Sequence, residues 1–143
     1  TAMNFTKFLI ASIVGAIVFF FAGWLIYGIL LSDIMAKAMT PEANALNKTE
    51  PNLVVMFVSN LMYGLLYAYI FERWAKITTF MGGATAGTLI AVLIAAAFDL
   101  QFVAMTNMIN DITFVFIDIA CSAVIGAMVG GAIGLTLGYG RKD

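Results

Sequence analysis

Four stretches of this chain, at about 8–31, 53–71, 79–103 and 112–138, are long and apolar enough to cross a lipid bilayer. A helix needs about 20 predominantly apolar residues to span the hydrocarbon, whereas a membrane strand needs only about 9–11. In lipid every backbone N–H and C=O must be paired within the protein, which leaves helices or closed barrels as the spanning forms. Runs of this length specify helices. Composition agrees, with 63% hydrophobic and 10% charged residues and a mean hydropathy of +1.02, against about 25% charged in soluble domains. The expected fold is all-α: an integral membrane bundle of four transmembrane helices in one domain, 1–143, with the bilayer as its solvent. The 143 residues leave no room for a separate soluble module.

Thr1 and Ala2 precede Met3 and read as a cloning remnant. The first apolar run exceeds the core of a signal peptide, about 7–15 residues, and no small-residue cleavage site closes it, so it reads as a permanent span. Thr40-Pro41-Glu42 carries helix-start chemistry, a threonine N-cap, a proline at the first position and an acid at the positive dipole end. It predicts a short helix over 40–47 in the first loop. Trp74 suits a headgroup-level anchor, while Trp24 and Tyr27 lie deep enough to face other helices. With four spans, Lys7, Arg73, Lys76, Arg141 and Lys142 share one side, against Lys37 and Lys48 on the other. The positive-inside rule then places both termini in the cytoplasm, and the expected location is a bacterial inner membrane.

The last two spans carry matching stripes. Every fourth residue of the last span gives Asp118, Ser122, Gly126, Gly130, Gly134 and Gly138, and the preceding span gives Gly83, Gly87, Ala91, Ala95 and Asp99. Small residues at this spacing let helix backbones approach closely in lipid, where packing replaces the hydrophobic effect as the driving force. An antiparallel hairpin sets Gly83 opposite Gly134, Gly87 opposite Gly130, Ala91 opposite Gly126, and Asp99 opposite Asp118. A spacing of four drifts by about 40° per step, so one straight partner cannot follow the whole stripe. Packing inside the monomer, as a tight hairpin of the last two spans, is the expected reading of the stripe, with an interface between chains as its alternative. A homo-oligomer or a membrane-protein partner is also expected, because four helices with this much small-residue surface leave sides free.

Asp99 and Asp118 are therefore the acids that matter. A charged residue at the centre of a membrane helix costs about 2.5–3.5 kcal/mol on insertion scales and is a functional candidate by default. Two neighbouring carboxylates do not both ionise readily; a proton or a bridging cation resolves the conflict. Asn60, Tyr63 and Tyr67 recur on one face of the second span and fall in the same half of the membrane. They complete a candidate proton- or cation-binding cluster. A purely structural role is the rival reading, with Asp118 hydrogen-bonded to Asn60 or a tyrosine hydroxyl.

Several classes are disfavoured. The chain has no histidine, which removes Ser-His and Cys-His catalysis and imidazole metal sites. The acids lack the Gly-x-Gly-Asp setting of intramembrane aspartyl proteases, and no enzymatic activity is expected. Met35, Met39, Met56, Met105 and Met108 share one side and suit a soft metal, but methionine is also a common flexible filler; no metal or cofactor is expected. Cys121 reads as a small packing residue. The net charge of −1 and the absence of a basic run exclude a nucleic-acid partner. The triplets at Asn4 and Asn47 match the glycosylation pattern and decide nothing.

Gly23-Trp24-Leu25-Ile26-Tyr27-Gly28 near the end of the first span, with Gly126-Ala127-Met128-Val129-Gly130 in the last, resembles a family of small bacterial four-helix membrane proteins of unknown function. Members of that family carry Trp and Tyr side by side, whereas here Leu25 and Ile26 separate them. The resemblance implies a fold and no activity, and no site residue follows from it. Two functional expectations remain: a small proton- or cation-linked transporter or channel built on the acid cluster, and an accessory subunit docking through its glycine-rich helices.

Overall fold

The computed structural model describes residues 3–141. Thr1 and Ala2, and Lys142 among the counted cations, lie outside them. The chain is all-helical, with four helices long and apolar enough to span a membrane: α1 (Phe5–Leu30), α4 (Leu53–Ala75), α5 (Phe80–Met105) and α6 (Thr113–Gly138). Two short helices, α2 (Ser32–Ala38) and α3 (Pro41–Ala45), fill the first loop. Polar residues punctuate each start. The Asn4, Asn52 and Thr79 side chains accept from the backbone N–H of Lys7, Val55 and Gly82 at 3.1, 3.1 and 3.0 Å. Thr40 caps α3 with Pro41 in its first turn. Before α6, the Asp111 carboxylate accepts from the Thr113 N–H at 2.9 Å.

Two spans end in π-helical turns, Trp24–Leu30 in α1 and Ile70–Ala75 in α4. The second corrects the span read as ending at residue 71. The helix continues through Glu72 and Arg73 to Ala75 and stops at Lys76 in the left-handed region (φ 55°). Glu72 is 4% exposed because Arg141 answers its charge at 2.6 Å. The Asn4 N–H also donates to it at 3.3 Å, and Lys7 donates to the Leu137 and Tyr139 carbonyls. The start of α1, the end of α4 and the chain beyond α6 are thereby tied at one end, here the terminal end.

The opposite, loop end is joined through backbone. Met39 and Ile109 form an isolated antiparallel bridge. Thr40 N–H donates to Met108 O at 2.9 Å and Asn110 N–H to Ala38 O at 2.8 Å.

The helices pack in the order α4–α1–α6–α5. The α5/α6 hairpin is the most extensive contact, α1 packs on both α4 and α6, and α4 and α5 have little direct contact. The core lies toward the terminal end, where Phe8, Tyr67, Phe71, Ile125, Val129, Ile133 and Leu137 are buried together. Ile13, Ile17, Phe21, Leu89, Leu93, Val124 and Leu135 are exposed around it, the inverse of a soluble fold and the belt that lipid covers. Trp24, expected to face other helices, is 57% exposed instead; its ring lies along its own helix, close to Gly28.

Candidate functional site

Contact between α5 and α6 is made backbone to backbone. A methyl group added at Gly83 would overlap the Gly130 carbonyl and come within 3.2 Å of Gly134 Cα. One at Gly87 would overlap the Gly126 carbonyl and lie 2.9 Å from Gly130 Cα. Gly126 faces Ala91 and the Gly87 carbonyl, Gly134 faces the Thr79 carbonyl, and Gly138 faces Thr78 in the α4–α5 turn. The six stripe glycines therefore all meet neighbours within the chain. Gly64, outside the stripes read from the sequence, is an equally close approach of α4 to α1, against Ser12 and Ala16. Its signal was present: Gly64 with Ala68, and Ser12 with Ala16, are small pairs four residues apart.

Along the same register toward the loop end, small residues give way to acids. There the helices enclose a cavity of about 240 Å³. Its walls are Ala91, Ala95 and Asp99 of α5, Asp118, Ser122 and Gly126 of α6, Phe19, Gly23 and Tyr27 of α1, and Tyr63 and Tyr67 of α4, with Ile94, Phe98 and Ile125 completing it. No lysine or arginine is among these lining residues. Phe98 is 59% exposed and stands at the rim.

The polar groups are few and their partners specific. The Tyr27 hydroxyl donates to Asp118 Oδ1 at 2.6 Å. Tyr27 lies within the π-helical turn of α1, and such turns recur at functional sites because the wider turn redirects side chains. Asp99 lies beside Asp118 and is 8% exposed. Among the described residues, its Oδ2 is the one buried side-chain polar atom without a hydrogen-bond partner. A buried carboxylate oxygen is costly, and beside a second carboxyl it is answered by a proton shared between the two or by a bound cation or water. Tyr63 stacks on Phe19 with centroids 5.2 Å apart, and Tyr67 is 1% exposed.

Of the cluster expected from sequence, Asp99, Asp118, Tyr63 and Tyr67 meet at the cavity. Asn60 does not line it. It sits about one turn nearer the loop end, and α1 lies between α4 and α6, so Tyr27 supplies the hydroxyl that Asp118 takes up. Tyr27 is the polar side chain that the expected cluster lacked. Among the described residues no group of three or more His, Cys, Asp or Glu side chains is arranged for a metal. Of the methionines on the loop side, the Met105 sulfur accepts from Gln101 Nε2 at 2.8 Å, and Cys121 is half-buried and free.

Residues 10–138 match the family described as "Protein of unknown function (DUF1761)". The chain belongs to this family. The match takes in the four spans, both cavity acids, Tyr27 and the six stripe glycines, in accord with the resemblance carried by the Gly23–Gly28 and Gly126–Gly130 segments. Membership of DUF1761 assigns no activity, and the four long apolar helices fit a small membrane protein. No curated protein and no solved structure matches the chain, so the reading of the site rests on its chemistry.

Proposed function

We propose that this DUF1761 protein is a small membrane transporter or channel that binds a proton or cation at Asp99 and Asp118. The observation that carries the reading is that two acids, Asp99 and Asp118, meet at one buried cavity whose lining holds no lysine or arginine. Intramembrane acids are expensive and face interiors or pathways. Here both acids face one cavity, and Tyr27 holds only one of them. The cavity lies in the loop half of the membrane. The basic residues Lys7, Arg73, Lys76 and Arg141 at the terminal end, against Lys37 and Lys48 at the loop end, support cytoplasmic termini and with them a cavity in the outer half of a bacterial inner membrane.

The alternative is an accessory subunit docking through its glycine stripes. That reading loses its main support, because the stripes are covered by neighbours from the same chain. The outward face of α5 offers instead large side chains such as Leu89 and Leu93.

Proteoliposomes loaded with a pH-sensitive dye test the proposal. An imposed cation or pH gradient is expected to drive flux in the wild type, and Asp118→Asn or Asp99→Asn to reduce it at least tenfold while far-UV circular dichroism stays native. Unchanged flux in both variants, or none in folded wild type, refutes it. A reporter fused to the C-terminus must also score as cytoplasmic.

A further inference from the structure

Resting on the reading of Asp99 and Asp118 as a proton or cation site, we infer that it holds a single proton, carried on Asp99 and donated to an ionised Asp118, with Tyr27 as the positioning residue that fixes which acid keeps it. The donors around the pair are unevenly placed. The Tyr27 hydroxyl gives its one hydrogen to Asp118 Oδ1 at 2.6 Å, and Ser122, one turn along α6, stands beside that hydroxyl. Asp99 is 8% exposed, and no group among the described residues donates to its Oδ2. A hydrogen bond donated to a carboxylate favours the charged form, and burial without donors favours the neutral one. Two acids in such unlike settings divide the roles of proton holder and anion.

Direct contact between the carboxyls points the same way. Asp99 lies within side-chain hydrogen-bond reach of Asp118. As carboxylates both groups are acceptors only and repel; with one proton between them they attract. That proton answers the orphan oxygen in either position. On Oδ2 it makes that atom the donor to Asp118. On Oδ1 it leaves Oδ2 as the carbonyl oxygen of a neutral acid, which costs less unpaired than a charged oxygen. A metal ion, in contrast, is held by oxygen lone pairs, whereas Tyr27 turns its hydrogen toward the pair. The other titratable groups here are Tyr63 and Tyr67 of α4, which line the cavity, and Cys121 of α6, which lies close to Asp118. No lysine or arginine lines the cavity, so no fixed cation compensates a second negative charge.

Infrared spectroscopy of the full chain in lipid vesicles at pH 7 tests the assignment through the carbonyl band of a carboxylic acid, which ionised carboxylates lack. The wild type is expected to show this band, shifted by carbon-13 labelling of aspartate, and Asp99→Asn to lose it. Asp118→Asn should keep it at a shifted frequency, because the acceptor is then neutral. Adding Tyr27→Phe to Asp99→Asn should bring an acid band back, on Asp118, which has lost its donor. Should Asp99→Asn not fold, the labelled wild type and Asp118→Asn carry the same expectation. A band lost in Asp118→Asn and kept in Asp99→Asn overturns the assignment and leaves a proton site standing. No returning band in the Tyr27→Phe/Asp99→Asn double variant overturns the role of Tyr27. No acid band in the wild type, with carboxylate bands that respond to sodium chloride only while both aspartates are present, overturns the proton and leaves the cation site standing. No acid band, no response to sodium and no flux overturns both readings. The expected bands without flux support the proton assignment and refute transport.

Discussion

A single added methyl group should have opposite effects at two glycines of this protein, Gly87 and Gly23. Replacing glycine by alanine within a helix stabilises it by about 0.5–1 kcal/mol, through the restricted unfolded chain and better helix propensity. At Gly23 nothing stands within 4 Å of the new Cβ, so Gly23→Ala keeps that gain. At Gly87 the new Cβ overlaps the Gly126 carbonyl and lies 2.9 Å from Gly130 Cα. Both obstacles are backbone, and no rotamer change relieves them; α5 and α6 must separate. Overpacking costs about 1–3 kcal/mol, and a backbone obstacle puts this case at the upper end. Net of the propensity gain, Gly87→Ala should destabilise by about 2 kcal/mol, a factor of up to about 30 in the folding equilibrium. Gly15→Ala falls between them, because its obstacle is the Ile133 Cδ1 at 2.6 Å, a side-chain end that rotates. Reversible unfolding in mixed micelles titrated with dodecyl sulfate, followed by far-UV circular dichroism, gives the ranking. Gly87→Ala at wild-type stability, or less damaging than Gly15→Ala, refutes the claim that backbone contact fixes the hairpin.

Three further outcomes follow from named contacts. Tyr27→Phe removes the 2.6 Å bond to Asp118 and should cost about 0.6 kcal/mol, at most about 1.7, the span found for hydrogen bonds inside membranes; a double-mutant cycle with Asp118→Asn must show the coupling. Arg141→Ala leaves Glu72 buried without its cation and should destabilise by about 1–3 kcal/mol, below the 3–5 of a fully buried pair because Arg141 is partly exposed. The same unfolding assay should find the Glu72→Gln/Arg141→Ala double variant less damaged than Arg141→Ala alone. At Asp111, bonding from the Thr113 backbone N–H and then its side chain holds the carboxyl below the usual carboxylate range. A depressed folded value means the cap is fully in place above about pH 4, the ordinary aspartate range, and is lost as pH falls through the lower folded value. Amide exchange at Thr113 should therefore stay slow at pH 5, and Asp111→Ala should speed it at that pH.

The spans and the hairpin register were legible because each rests on a repeating local pattern. Twenty apolar residues have one economical conformation in lipid, and small residues at a spacing of four mark a face whatever its partner. The Gly83–Gly134 and Gly87–Gly130 proximities follow from that arithmetic. What resisted reading depends on single long-range partners. Glu72 lies inside α4 because its charge is neutralised by Arg141, 69 residues away, and nothing near Glu72 announces that partner. Asn60 and Tyr27 are both polar residues at plausible depth, and choosing between them needs the order of helices around the bundle. That order puts α1 beside α6, and the π-helical turn sets Tyr27 toward Asp118. Helical periodicity carries no trace of that wider turn.

The glycines and the acids are one device in mechanical terms. Both belong to the two helices whose separation is set by direct backbone contact, and Asp99 and Asp118 continue the register that Gly87 and Gly130 establish. A site built on helices locked in this way holds its geometry more tightly than one built on loops. Forcing α5 from α6 at Gly87 should then do more than lower stability. It should move Asp99 away from Asp118 three turns along the hairpin and weaken cation binding in protein that is still folded. Gly23→Ala puts its methyl in the cavity wall without touching α5 or α6, so it should leave the acid pair in place. A folded Gly87→Ala protein that binds like wild type would mean that the acids are positioned by α1, through Tyr27, and not by the glycine contact.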